Sequence, residues 1–164
     1  IPDPGERSRE FLDREHGSFS LSPVHGDLHA GNVLFGGDGY GIIDYGKMRE
    51  RFPSLYDVAY LYADLKSRLV ADSFDLPMLR DLEEAAVNGG PRGWGRRSKR
   101  IRRRAERLSL FEYEALPEEI KSLGSSAVFY SLLGLKLLGR MKFDLSETEK
   151  RAGLILANYA FERV

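Results

Sequence analysis

The sequence predicts a mainly α-helical chain with one small β-hairpin, and two patterns carry that prediction. Two short apolar runs, NVLF and YGIIDY, flank the glycine turn GGDG at residues 36–39, which is the pattern of a β-hairpin. From residue 54 onward, apolar residues recur at helical spacing. With 164 residues, the chain is long enough for a core of its own. We therefore predict a single domain over 1–164, with a polar loop and hairpin at 22–46 and a helical part at 54–164.

Five helices are predicted in the second part of the chain. The first has Ser54 as its N-cap, and one stripe of this helix faces the core: Leu55, Val58, Ala59, Tyr62 and Leu65. The others are predicted over 75–90, 96–116, 116–143 and 145–164, and the last of them opens with a capping box formed by Ser146 and Glu149. Residues 8–17 are predicted to hold the end of a further helix that stops at Gly17.

Composition excludes several classes of protein. Twenty-five basic side chains balance 25 acidic ones, so no overall field favours nucleic acid or an anionic membrane. The chain has no Cys, which excludes a disulfide framework and a thiolate metal site. The apolar run AVFYSLLGLKLLG is interrupted by Lys136 and is too short to span a bilayer, and the first residues do not form a signal peptide. We expect a cytoplasmic protein without a membrane span.

Polar residues stand at set intervals around the hairpin. His25-Gly26-Asp27 precedes it, Asn32 follows Asp27 by five residues, and Asp44 comes directly after the second run. Phosphoryl transfer from ATP needs a carboxylate near the attacking hydroxyl and oxygen ligands for Mg²⁺. The hairpin returns Asp44 to the side of Asn32. We expect four apolar residues to anchor the hairpin in the core while the polar groups face a cleft: Val33, Leu34, Ile42 and Ile43.

These stretches resemble a known group of enzymes. VHGDLHAGNVLF followed by GIIDYG is similar to the catalytic core of the aminoglycoside phosphotransferase and choline kinase superfamily, and FPSLYDVAYLYADL resembles the segment that follows it in that superfamily. The resemblance covers residues 22–65. It implies the carboxy-terminal lobe of a protein-kinase-like (α+β) fold, with ATP and Mg²⁺ as cofactors and a small-molecule alcohol as the acceptor.

The resemblance also implies roles for single residues. Asp27 is the expected catalytic base, and Asn32 and Asp44 are the expected ligands of Mg²⁺. His25 is expected to orient the loop backbone. Two further residues have alternative roles: Asp57 holds the loop from behind or is a first-turn acid favoured by the helix dipole, and His29 lines the substrate mouth or caps the loop.

The amino-terminal lobe of such kinases has no counterpart in this sequence. No Lys-bearing strand or phosphate-covering loop is recognisable, and the glycine-rich stretch at 89–95 follows a helix, so it is interpreted as a linker. We expect the chain to be part of a longer protein, to fold but be inactive alone, and to expose an apolar surface around the hairpin and residues 1–24. Two alternatives stay open: a non-catalytic binding or scaffold module, and an atypical kinase that acts on protein, lipid or lipopolysaccharide.

Two charged stretches allow more than one interpretation. Residues 92–108 hold nine Lys or Arg and one Glu. The basic stretch 92–107 is an anion-binding face for nucleic acid, acidic lipid or a phosphorylated substrate, or a solvated helix paired with the acids that follow; the neutral total charge favours the second. Those acids are ordinary helix surface or carboxylates for a cationic substrate such as an aminoglycoside: Glu112, Glu114, Glu118 and Glu119.

Overall fold

The computed structural model describes residues 19–72, 79–84, 99–123 and 125–164. This part of the chain is mainly helical with two small antiparallel strand pairs, which confirms the predicted class. The helices are α1 (Tyr56–Asp72), α2 (79–84), α3 (Lys99–Leu110), α4 (Leu116–Leu123), α5 (Ser126–Gly139) and α6 (Glu147–Glu162). The helix predicted to end at Gly17 and the glycine-rich stretch at 89–95 lie outside the described residues.

Four strands form the β part: β1 (Leu21–Val24), β2 (Val33–Gly36), β3 (Gly39–Ile42) and β4 (Arg49–Pro53). Strands β2 and β3 are the predicted hairpin, with Val33 opposite Ile42. The outer pair β1–β4, with Val24 opposite Arg49, was missed because β1 is short and contains Pro23, and its partner lies far along the chain. Strand β1 precedes the hairpin and β4 follows it, so their pairing brings residues 25–27 beside residues 47–49.

The hairpin is not anchored in the core, so that prediction was wrong. Leu34 is 52% exposed and Ile43 43%, and on the same ribbon Phe35 is 84% and Tyr40 74% exposed. A two-stranded ribbon buries a face only where another layer covers it, and these exposures show that no described element does so here. Apolar side chains of the hairpin are therefore exposed, as predicted. Residues 1–18, where the same surface was predicted to continue, lie outside the described residues.

The core lies among the helices. Helix α5 packs against both α6 and α1, and the close approach of α5 to α6 depends on Gly134, where an added Cβ would lie 2.7 Å from ring atoms of Phe161. The largest apolar side chains that are fully buried belong to this bundle: Tyr62, Phe129, Leu55, Leu82, Leu116, Leu133, Leu137 and Leu156. None of the described helices has both the length and the apolar character needed to cross a membrane.

The start and the buried face of α1 differ from the prediction. The amide of Ala59 donates to the carbonyl of Leu55, so Leu55 is the N-cap, and Ser54 instead bonds the carbonyl of Ser20 through its amide and its hydroxyl. Along the stripe, Leu65 is 38% exposed. The buried residue at this turn is Lys66, at 2% exposure, because oppositely charged partners in the core hold its ammonium group.

The two longest predicted helices are both interrupted. The helix predicted over 96–116 ends as α3 and passes into a π-helical turn at Phe111–Ala115, just before Pro117, which has no N–H to donate to the carbonyl four residues earlier. The helix predicted over 116–143 is divided where Ser125 caps α5 by accepting a bond from the amide of Val128. The capping box of Ser146 and Glu149 at the start of α6 is confirmed.

Candidate functional site

The loop after β1 makes a turn that requires glycine. Gly26 has φ +83°, and a Cβ at this position would lie 2.1 Å from the backbone carbonyl oxygen of Lys47. Residues 25–27 therefore pass in contact with the segment before β4. This close approach sets the position of Asp27 relative to Lys47.

His25 ties this loop to the chain before Asp44. Its Nε2 lies 2.8 Å from the carbonyl oxygen of Ile43, and its Nδ1 lies 3.3 Å from the backbone nitrogen of Asp27. One neutral tautomer serves both contacts, since Nε2–H donates and Nδ1 accepts. The ring is buried, and its two nitrogens join the loop to the residue that follows the hairpin.

Asp57, in the first turn of α1, contacts the same loop from behind. Its Oδ2 accepts a hydrogen bond from the amide of His25 at 2.5 Å, and its Oδ1 accepts one from the amide of Gly26 at 3.0 Å. Hydrogen bonds between a carboxylate and backbone amides are charge-assisted and comparatively strong. The structure thus shows the loop contact, the first of the two roles considered for Asp57.

A second carboxylate of α1, which the sequence interpretation missed, also holds the loop. Asp64 is buried; its Oδ2 accepts from the amide of Ala30 at 3.0 Å and from Arg68 at 2.7 Å, while its Oδ1 accepts from Arg140 at 3.0 Å. Burial raises the pKa of Asp64, but these hydrogen bonds outweigh it and the pKa lies below its ordinary value. The available signal was the spacing: Asp57 and Asp64 stand two helical turns apart and share one face.

Asp27 projects from the loop with a partner on each oxygen. The Nζ of Lys47 lies 2.6 Å from Oδ2, and the hydroxyl of Tyr60 donates to Oδ1 at 2.6 Å. Partial burial raises the pKa of Asp27, but these two hydrogen bonds outweigh it, and the pKa is lower than usual. Asp27 is therefore a carboxylate at neutral pH, fixed in direction. Tyr60 lies three residues after Asp57 on the same face of α1, and this spacing could have predicted its place in the site. Nothing in the sequence around Lys47 predicted its contact with Asp27.

Asn32 and Asp44 lie at the open end of the hairpin. The amide nitrogen of the buried Asn32 side chain donates to the carbonyl of Asp27 at 3.1 Å, and the backbone amide of Ile43 donates to the carbonyl of Asn32 at 3.0 Å. Asp44 has φ 63° and ψ 61°, and it is the one non-glycine residue with positive φ in the described ranges. Such a conformation is uncommon and concentrates at functional sites.

The oxygens at this end suit a hard cation. The side-chain oxygen of Asn32 accepts no hydrogen bond from a described residue, and the carboxylate of Asp44 is exposed. Amide and carboxylate oxygens are ligands that Mg²⁺ accepts together with phosphates and water. No cluster of three His, Cys, Asp or Glu side chains able to hold a metal occurs among the described residues.

His29 caps the short 3₁₀ turn at Ala30–Asn32, with its Nδ1 accepting a bond from the amide of Gly31 at 3.1 Å. It does not line the cleft beside Asp27. Of the two roles considered for His29, the structure therefore shows the cap.

A cleft of about 460 Å³ opens beside Asp27. Its lining is strongly basic, and the residues are Gly26, Asp27, Lys47, Met48, Arg49, Tyr56, Tyr60, Lys136 and Lys142. Lys136 comes from α5, lies 4.0 and 4.2 Å from the ring centroids of Tyr56 and Tyr60, and donates to the Tyr56 hydroxyl. Burial, with repulsion from Lys142 and Arg49, lowers the pKa of Lys136 to about 8. The residues around Lys136 in the sequence did not predict that it lines this cleft.

None of the described side chains of the acidic stretch lines the cleft. Glu112 is buried in the core against Lys66 and Arg163, which contradicts its interpretation as ordinary surface or as a ligand for a cationic substrate. Of the basic stretch, residues 99–107 lie in α3, where Arg103, Arg104 and Arg107 are exposed. None of them lines the cleft, and residues 92–98 lie outside the described part.

Comparison with protein families gives one match. The model of the family described as Ternary complex associated domain 9 matches residues 1–90, more than half of the chain. The chain belongs to this family. The matched span of the Ternary complex associated domain 9 family contains the loop, the hairpin and Asp57, whereas Lys136 and Lys142 lie beyond it. No curated protein and no solved structure matches the chain.

Proposed function

We propose that this domain is the catalytic lobe of an ATP-dependent phosphotransferase that acts on a hydroxyl group of a small molecule. The observation that supports the proposal is the set of hydrogen bonds that joins the segments carrying Asp27, Asn32 and Asp44. Asn32 is bonded to the backbone of Asp27, and Asp44 follows the residue that pairs with Asn32. A carboxylate at the mouth of a cleft beside two cation ligands is the arrangement that phosphoryl transfer requires.

In this proposal Asp27 is the general base. Its ionised carboxylate accepts a hydrogen bond from the acceptor hydroxyl and takes the proton as the new oxygen–phosphorus bond forms and the bond to the departing ADP breaks. Lys47 and Tyr60 each occupy one oxygen at 2.6 Å, so they fix the direction of the carboxylate. The acceptor hydroxyl replaces one of these contacts when it binds.

Asn32 and Asp44 would hold Mg²⁺ in the proposed site. When bound, the cation neutralises the phosphate oxygens of ATP on which charge accumulates. The chain holds Asn32 beforehand, since its amide nitrogen donates to the Asp27 carbonyl, and the left-handed backbone of Asp44 turns the chain directly after the hairpin. The carboxylates of Asp57 and Asp64 keep the loop in place without reaching the cleft.

The test is phosphoryl transfer from radiolabelled ATP, measured with the natural protein that contains these residues. Asp27→Asn keeps the shape and removes the base, so kcat should fall roughly 100-fold or more. Asp38→Asn is the matched control, since Asp38 is an exposed acid at the tip of the same hairpin, and it should keep full turnover. Equal turnover of the two variants would remove Asp27 from the mechanism.

A binding module without turnover is the second candidate. It is favoured by the exposed apolar side chains of the hairpin and by the family description, which names association with a complex. The same variant separates the two candidates, because a binding module retains its binding partner after Asp27→Asn and shows no ATP-dependent labelling of any alcohol.

A further inference from the structure

The cleft beside Asp27 holds more positive charge than its own residues neutralise. Four cationic side chains line it together with one carboxylate, and Lys47 is the cation paired with that carboxylate. The remaining three are Arg49, Lys136 and Lys142. None of these has a carboxylate within ion-pair distance among the described residues, although described acids elsewhere form many such pairs. A cleft lined by one sign of charge attracts ligands of the other sign.

Lys136 is the least solvated of the three. Its ammonium group lies over two tyrosine rings and donates to one tyrosine hydroxyl, and its side chain is half-buried, whereas Arg49 and Lys142 are exposed. A buried ammonium group without an anionic partner is unfavourable, and a bound anion would remove that penalty. The side chain is held in place by aromatic contacts, so it is oriented before any ligand arrives.

The position of these cations distinguishes the acceptor from the nucleotide. Asn32 and Asp44, beside which the ATP phosphates would lie, do not line the basic cleft. The cleft is instead lined by Asp27, Tyr60 and Lys136, so a hydroxyl compound bound in it would lie next to the proposed base. A smaller recess of about 90 Å³ continues in the same direction and shares Tyr60, Lys136 and Lys142.

We propose that the acceptor is an anionic alcohol, a small hydroxyl compound that carries a phosphate or carboxylate group, and that Lys136, Lys142 and Arg49 bind this group. The inference rests on the proposed function for the direction of the hydroxyl toward Asp27. The anion site itself rests only on the residues of the cleft. The same charges disfavour a cationic alcohol of the aminoglycoside or choline type.

The test is a binding titration of the 164-residue chain with three alcohols of similar size that differ in charge. Glycerol 3-phosphate is the anionic probe, glycerol the neutral one and choline the cationic one, each measured by calorimetry in low salt without nucleotide. Glycerol 3-phosphate should bind, and the other two should not. Binding of choline or glycerol at least as tight as that of glycerol 3-phosphate would overturn the proposal.

Variants locate the site. Lys136→Met keeps the apolar stem over the rings and should weaken glycerol 3-phosphate binding about tenfold, because one charge-assisted contact is lost. Lys142→Gln should weaken it as well, and it serves as the second variant if Lys136→Met unfolds. Lys150→Met makes the same exchange on α6, away from the cleft, and should leave the affinity unchanged. Equal affinities for Lys142→Gln, Lys136→Met and Lys150→Met would refute the assignment.

Two further measurements, ADP binding and phosphoryl transfer, show whether the cations bind the acceptor or the nucleotide and separate this inference from the proposed function. If Lys136→Met weakens the binding of ADP as much as that of glycerol 3-phosphate, the cations serve the nucleotide and the inference is wrong. If glycerol 3-phosphate binds through Lys136 while Asp27→Asn leaves phosphoryl transfer unchanged, the anion site stands and the proposed mechanism fails. If transfer depends on Asp27 but only uncharged or cationic alcohols are phosphorylated, the mechanism stands and this inference fails.

Discussion

Two clusters of charge in this molecule use the same kinds of residue in opposite ways. One surrounds Asp27 in the cleft. The other lies in the helical core, where Lys66 and Arg163 meet Glu83 and Glu112, with Lys66 Nζ 3.1 Å from Glu112 and Arg163 3.0 Å from Glu83. The hydroxyl of Tyr62 donates to Glu112 in the same cluster.

The difference between them is charge balance and access to solvent. In the core, two cations face two acids, and the acids are almost completely buried. Burial raises the pKa of Glu112, but the charges of Lys66 and Arg163 outweigh it and hold the pKa below its ordinary value. In the cleft, cations exceed acids and solvent reaches them. A balanced buried cluster joins α1, α2, the π-helical turn and the end of α6, whereas an unbalanced open one is available to a ligand.

The largest expected effect comes from removing one member of the core cluster. Lys66→Met leaves the two buried acids with a single cation, so the free energy of unfolding should fall by about 3–5 kcal/mol, measured by urea denaturation. Adding Glu83→Gln restores the balance of charge and should recover a large part of the loss. If Lys66→Met alone were as stable as the wild type, the core cluster would be solvated rather than buried.

Gly26→Ala changes the backbone of the site without removing a charge from either cluster. The new Cβ meets the carbonyl of Lys47 in a backbone conformation that L-residues rarely adopt, so we expect a loss of about 2 kcal/mol in stability together with a loss of turnover. Gly36→Ala is the control, because a Cβ there meets no atom within 4 Å. Equal behaviour of the two variants in thermal melts and assays would contradict the tight contact.

The affinity for glycerol 3-phosphate should depend on pH through Lys136. With a pKa of about 8 in the free site, the ammonium form predominates below pH 8 and is lost above it. Affinity should therefore fall above pH 8 and level off about tenfold lower, the same loss that Lys136→Met should cause, in calorimetry at fixed ionic strength. The titratable or charged groups that face Lys136 are Asp27, Asp57, Lys47, Arg49, Lys142, Tyr56 and Tyr60.

Of these groups, burial raises the pKa of Tyr56 and of Tyr60, and the pKa of Asp27 is lowered, so none of the three titrates near pH 8. Lys136→Met should abolish this pH dependence. A profile that is flat between pH 7 and 10 in the wild type would place the anion elsewhere.

The smallest effect is expected at an exposed pair, which is balanced like the core cluster but open like the cleft. Arg151 lies 3.2 Å from Glu147 on α6, with both side chains more than 70% exposed. Arg151→Gln should change the free energy of unfolding by less than about 0.5 kcal/mol. A loss as large as that of Lys66→Met would mean that burial is not what distinguishes the core cluster.

Local patterns were sufficient for part of this structure. The hairpin and the capping box at Ser146 both depend on residues close in sequence, so spacing predicted them. The pairing of β1 with β4 depends on a partner about 30 residues away. The burial of Lys66 depends on Glu112 and Arg163, which lie far along the chain.

The same limit explains what was missed in the cleft. Lys136 interrupts an apolar run, where it was interpreted as an obstacle to membrane insertion, and only the packing of α5 on α1 brings it over Tyr56 and Tyr60. Glu112 stands in an acidic stretch that resembles helix surface, and only the π-helical turn directs it into the core. In both cases the sequence shows the charge, while tertiary contacts decide what the charge does.

We propose that Asp27 in the cleft serves chemistry and that Glu112 in the core serves the fold. Asp27→Asn and Glu112→Gln test it as a pair, with kcat for ATP-dependent phosphorylation and the urea midpoint measured for both. We predict that Asp27→Asn lowers kcat roughly 100-fold with little change in the midpoint, and that Glu112→Gln lowers the midpoint while its folded fraction keeps near-normal kcat. Wild-type turnover in Asp27→Asn, or lost turnover without lost stability in Glu112→Gln, would contradict the account.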